Sequence, residues 1–188
     1  MKSIYALVAG LLLALTATQA SAANIAGVNM PDQIQYAGKT MVLNGAGVRK
    51  KFLMTIYVGG LYLTTKSNDG DAIIQADEPM SIRLAITSSM ITPDKMKSTT
   101  LQGFRRAMNG NISPLKKEID QLMSSFDKGV SRGDVYELTN VPGSGVHIIR
   151  NGKRVETIRS KAFKATLFGI WLSKTPVNAG LRARMLGM

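Results

Sequence analysis

Cysteine is absent from this chain, which removes disulfides, thiolate metal sites and cysteine nucleophiles together. Histidine occurs once, at His147, so a multi-histidine metal cluster has no ligands to draw on. The same scarcity argues against a Ser-His-Asp triad, and one imidazole in a strand without evident partners reads as a packed or surface residue. Aromatic residues make up only 6%, too few for a base-stacking platform, so nucleic acid is not expected as a partner. Asp and Glu total 12 against 24 Lys and Arg, a formal charge of +12. The acids stand at turns and helix starts (Asp32, Asp71, Asp94, Asp134), and no catalytic carboxylate pair emerges. The composition predicts no cofactor and no metal.

What is present begins with an address. Lys2, the apolar run Ile4 to Leu15 and the small residues Ala20-Ser21-Ala22 read as a cleaved secretory signal. The run is too short to span a bilayer, which needs roughly 20 apolar residues. The expected division is a signal peptide at 1–22 and one domain at 23–188, in a periplasmic or secreted protein. Its basic surface allows contact with anionic membrane lipids, although a plain solvated basic surface is the preferred explanation of the charge.

The remainder alternates between two periodicities. Extended segments are expected over 27–43, Phe52 to Leu63, Met80 to Ser88, Asp134 to Val141, Gly145 to Arg150 and Lys153 to Arg159. Asn44-Gly45-Ala46-Gly47 reads as a turn or as backbone that something approaches closely. Gly59-Gly60 suggests a bulge, a bend or room for a bulky group. Asn151-Gly152 is a hairpin signal. Thr92-Pro93-Asp94, Ser113-Pro114 and Ser160 mark helix starts. Short helices are expected near Asp71–Ala76 and Ala179–Leu186. This order of elements predicts an α+β fold, with helices covering one face of a mostly antiparallel sheet.

Two stretches carry a resemblance. Asn44-Gly45-Ala46-Gly47-Val48-Arg49, followed by Tyr57-Val58-Gly59-Gly60-Leu61-Tyr62-Leu63, resembles the first motif block of the chalcone isomerase-like family, a Gly-x-Gly-x-Arg turn and its following strand. Ser160 to Gly169 and the tail from Pro176 to Gly187 resemble that family's C-terminal helices. The resemblance implies an open-faced β-sandwich, a large antiparallel sheet covered by a layer of helices, with a cleft between them. It also implies that Arg49 holds an anion. The middle helices offer no counterpart to the family's tyrosine, since Met96 to Asn109 contains none. The reading that follows is non-catalytic binding of a fatty acid or similar amphipathic anion by Arg49 and Tyr57, with Thr166 lining the wall. Tyr62 is the alternative to Tyr57, because the two lie on opposite faces of one strand. Strand glycines 59 and 60 would leave the ligand space. The alternative function is an isomerase or lyase that stabilises an enolate with Arg49.

Overall fold

The computed structural model describes residues 22–51 and 53–188. The signal assigned to 1–22 therefore lies outside the described residues except for Ala22. Seven strands form one antiparallel sheet in simple sequence order. A two-stranded ribbon, β1 (Ala22–Ile25) and β2 (Val28–Pro31), precedes it. The sheet runs β3 (Gln33–Tyr36), β4 (Lys39–Lys51), β5 (Met54–Leu63), β6 (Met80–Ile86), β7 (Val135–Val141), β8 (Gly145–Arg150) and β9 (Lys153–Ile158). Helix α1 (Gly70–Gln75) joins β5 to β6. Helix α2 (Pro93–Ala107), a 3-10 turn (Ser113–Leu115) and α3 (Lys116–Ser124) join β6 to β7. Helices α4 (Lys161–Leu172) and α5 (Ala179–Met185) follow the sheet. The chain is thus α+β, as expected. Among the described residues no helix is long and apolar enough to cross a membrane.

Local chemistry sets the boundaries. Three two-residue hairpin turns have both central residues at positive φ: Ala26-Gly27 at 50° and 79°, Ala37-Gly38 at 49° and 73°, and Asn151-Gly152 at 51° and 77°. That geometry matches the right-handed twist of the flanking strands. Asp69, Thr92, Ser160 and Asn178 cap α1, α2, α4 and α5, each accepting a bond from a first-turn amide. Pro93 sits at the start of α2, where a missing N–H costs nothing.

Alternation along the strands then decides the layers. Leu61, Ile82, Leu84, Ile86, Leu138, Val146, Ile148 and Ile158 point to one face and meet Phe104, Ile119, Leu122, Phe163, Leu167 and Leu181 of the helices. The opposite face carries a second core of Met30, Met41, Val58 and Tyr62, with Ile25 and Val28 of the ribbon packed against it. Arg83 lies on that face and pairs with Glu137, so neither charge is left alone in the partly buried site.

The sheet is strongly curled. Tyr36 on β3 bonds His147 on β8 at 2.8 Å, although five strand spacings separate those strands in the sheet order. In a flat sheet that separation would be about 24 Å. Only curling of the sheet toward its helix-free face brings the two side chains together.

Several local expectations are corrected. Asn44 to Gly47 is no turn; it lies inside the 13-residue strand β4. Its glycines answer a close approach by α5. Pairing runs unbroken through Gly59 and Gly60, and the register shifts on either side, where Asn44 is the extra residue on β4 and Ile56 the extra residue on β5. Asn44 occupies the first irregularity. Its buried amide donates to the carbonyls of Ser67 (2.9 Å) and Met185 (2.8 Å) and accepts from the Ser67 amide (2.8 Å). The strand thereby gains a side-chain clamp where its ladder is interrupted.

Candidate functional site

Antiparallel register places Arg49 directly opposite Tyr57 near the tip of the β4–β5 hairpin. Residues directly opposite share a face, and here it is the helix-covered one, because Tyr57 packs against the main core with Leu61. Tyr62 points the other way, into the second core, and its hydroxyl donates to the Pro31 carbonyl at 2.9 Å. Of the two tyrosines, Tyr57 is therefore the one on the helix side.

The neighbouring rows explain why this pair stands at an edge. A Cβ on Gly45 would lie 2.1 Å from the Arg184 carbonyl oxygen, and one on Gly47 would lie 2.8 Å from Arg184 Cβ. Helix α5 rests on this glycine patch, and its Leu181 lies against Gly59. Gly60 faces Met30 on the other side. The space at glycines 59 and 60 is thus taken by protein side chains rather than held open for a ligand. Arg49 and Tyr57 stand on the next row, just beyond α5.

From the helix layer, Trp171 Nε1 of α4 donates to Tyr57 Oη at 2.9 Å. Burial pushes the Tyr57 pKa up, while the Trp171 bond and the Arg49 charge pull it back. The phenol therefore stays protonated at neutral pH. Its own proton has no acceptor among the described residues. One Arg49 nitrogen, Nη1, donates to the Lys50 carbonyl at 2.6 Å. No carboxylate forms an ion pair with Arg49 among the described residues, so most of its donor fork is unengaged. At the tip of the same hairpin Leu53 is 97% exposed and Met54 43%, and Met90 in the β6–α2 connection is 45% exposed. Lys50 and Lys51 stand exposed beside them.

Thr166 lies apart. Its hydroxyl bonds the Ala162 carbonyl at 2.8 Å within α4. It precedes Trp171 by five residues, which turns it about 140° around the helix from the indole. Trp171 itself was not singled out in the sequence. Nothing local signals a partner 114 positions away.

Two clefts open elsewhere. One, of about 450 Å³, lies between the end of α1, the β7–β8 turn and the start of α4, with Asp77, Asn140, Ser144, Arg159, Lys161 and Lys164 among its walls. The other, of about 490 Å³, lies between the β3–β4 and β7–β8 turns. Neither is lined by Arg49 or Tyr57. Among the described residues no His, Asp or Glu grouping could hold a metal ion.

A curled antiparallel sheet backed by helices on one face, with an arginine and a tyrosine paired at their margin, defines an open-faced β-sandwich. The chalcone isomerase-like family profile matches residues 22–187, and the chain belongs to that family. Among solved structures it is similar to a fatty-acid-binding protein of Arabidopsis thaliana. The TM-score is 0.70 at 18% identity, over 85% of this chain and 92% of that one. At that identity the likeness shows a shared fold. No curated protein matches by sequence.

Proposed function

We propose that this protein binds a fatty acid or a similar amphipathic anion without transforming it. The observation that carries this reading is the Arg49–Tyr57 pair: among the described residues, a guanidinium with no acid partner directly opposite a phenol whose proton is unclaimed. A carboxylate satisfies both, taking the guanidinium fork and the phenol proton. The exposed Leu53, Met54 and Met90 supply an apolar rim where an alkyl chain would first lose water. The fatty-acid-binding structural neighbour supports the same reading. Export is part of the proposal, resting on the signal-like residues 1–22.

The core between sheet and α4 is filled, with Phe163, Leu167 and Phe168 fully buried. An alkyl chain must therefore part side chains near Trp171 as it enters. Delipidated protein titrated with palmitate should show saturable binding and a change in fluorescence of its only tryptophan. Arg49→Ala should weaken binding about 10- to 100-fold, the scale of a hydrogen bond to a charged group. Saturable binding that ignores Arg49 would place the ligand elsewhere. Turnover of an α,β-unsaturated ketone, lost in Arg49→Ala, would replace the binding reading with an isomerase. N-terminal sequencing of the exported form should begin at Ala23.

A further inference from the structure

The partners that His147 lacks in the sequence are supplied by the fold. The imidazole is 4% exposed and is held at both nitrogens. Nε2 lies 2.8 Å from Ser144 Oγ, and Nδ1 lies 2.8 Å from Tyr36 Oη. The Tyr36 ring also meets it edge-on, with centroids 5.6 Å apart. Ser144 is half-buried in the β7–β8 turn between two glycines at positive φ, Gly143 at 75° and Gly145 at 108°. Nothing approaches within 4 Å of where a Gly143 Cβ would stand, so the turn is open beside the serine. Ser144 is also one wall of the 450 Å³ cleft beside α4.

We propose that Ser144 is an acyl-accepting nucleophile for small esters bearing a negative charge, with His147 as its base and Tyr36 as the residue that positions the base. When the His147 Nδ1–H donates to Tyr36 Oη, the Nε2 lone pair faces the serine hydroxyl. Burial and the charges of Arg154 and Arg159 hold the His147 pKa below its ordinary value, so the ring is uncharged at neutral pH. Ser144 Oγ attacks the acyl carbon and its proton passes to Nε2. The acyl–oxygen bond to the leaving group breaks, and Nε2 returns the proton to that oxygen, releasing the alcohol. Water then attacks the acyl-serine by the same proton route and releases the acid.

The cleft's charges select the substrate. The Lys164 ammonium is bound by the carbonyls of Ile73, Ile74 and Ala76, and Lys161 pairs with Asp77 at 3.1 Å. Arg159 has no ion pair among the described residues and is exposed on the same wall. It is the cation left to take a carboxylate on the incoming ester. Tyr36 offers only a phenol hydroxyl, which stabilises an imidazolium less than a carboxylate would, so slow acylation is expected rather than rapid turnover.

This proposal is independent of the Arg49 site. The full chain is incubated with a fluorophosphonate and examined by intact mass and peptide mapping. A single adduct on Ser144 is expected. Ser144→Ala should abolish it, and His147→Gln and Tyr36→Phe should each slow it at least tenfold while the Trp171 emission stays native. The absence of an adduct on Ser144, or equal rates in natively folded His147→Gln and the parent, would overturn the assignment. Acylation by p-nitrophenyl succinate should exceed that by p-nitrophenyl acetate, and Arg159→Ala should remove the preference. An unchanged ratio would overturn the anionic-substrate part.

Discussion

Gly45→Ala should destabilise this protein by about 3 kcal/mol, the upper range for overpacking a filled site. The new methyl would stand 2.1 Å from the Arg184 carbonyl oxygen and 3.0 Å from that of Met185. Both atoms are main chain in the last turn of α5, so no side-chain rotation relieves the clash. Helix α5 must lift, and the Asn44 bond to the Met185 carbonyl would stretch with it. Urea unfolding gives the loss, and amide exchange of α5 shows where it falls. Gly180→Ala in the same helix is the contrast. Its methyl would make only an ordinary 3.5 Å contact with Asn178 Oδ1, and helix propensity favours alanine by about 0.5–1 kcal/mol. A Gly45→Ala loss below about 1 kcal/mol would mean that α5 does not sit on the glycine patch.

The second large effect is expected at Lys164, which is 5% exposed. Its ammonium donates to the carbonyls of Ile73 (3.0 Å), Ile74 (2.8 Å) and Ala76 (2.6 Å), closing the C-terminal end of α1. Helix ends leave their last carbonyls without partners, and here a side chain 88 to 91 residues away supplies them. Lys164→Met removes all three donors. An unsatisfied buried acceptor costs about 1–3 kcal/mol, while freeing the fold of a buried cation offsets part of the sum, so a net loss near 3 kcal/mol is expected at pH 7.

The pH dependence separates these contributions. Burial pulls the Lys164 pKa from 10.5 down to about 8, against the opposing pull of Asp77 and Glu78. Between those values the unfolded chain holds a proton that the folded chain has released, so stability rises with pH across that window. The methionine variant lacks this rise. The gap between parent and variant should therefore widen from pH 7.5 to pH 10, as read by denaturant midpoints at each pH. A constant gap would show that the ammonium is not strained by burial.

The legible parts of the fold are those that local chemistry controls. The helix starts at Thr92 and Ser160, the Asn151-Gly152 hairpin and the strict alternation of Ile82, Leu84 and Ile86 all act within a few residues, and all were readable. The glycines of β4 left a turn and a close approach both open, for a physical reason. Conformational freedom and missing bulk call for the same residue, and only the packed helix shows that Gly45 and Gly47 serve the second need. The site divides along the same line. Arg49 and Tyr57 were named from the chain, but their opposition is a matter of register. Trp171 and Tyr57 are 114 residues apart, and Tyr36 and His147 are 111 apart. No local pattern announces such pairs.

By itself the sequence determined where most strands and helices fall, the cationic balance and the want of thiol chemistry. Each of these depends on a residue and its near neighbours. The tertiary structure decided that α5 lies on the glycine rows, that the Tyr57 hydroxyl meets an indole while its proton stays free, and that a lone histidine is held between a serine and a tyrosine. These follow from sheet curl and helix docking, which are set by the packing of the whole core at once. No short stretch of chain carries that information.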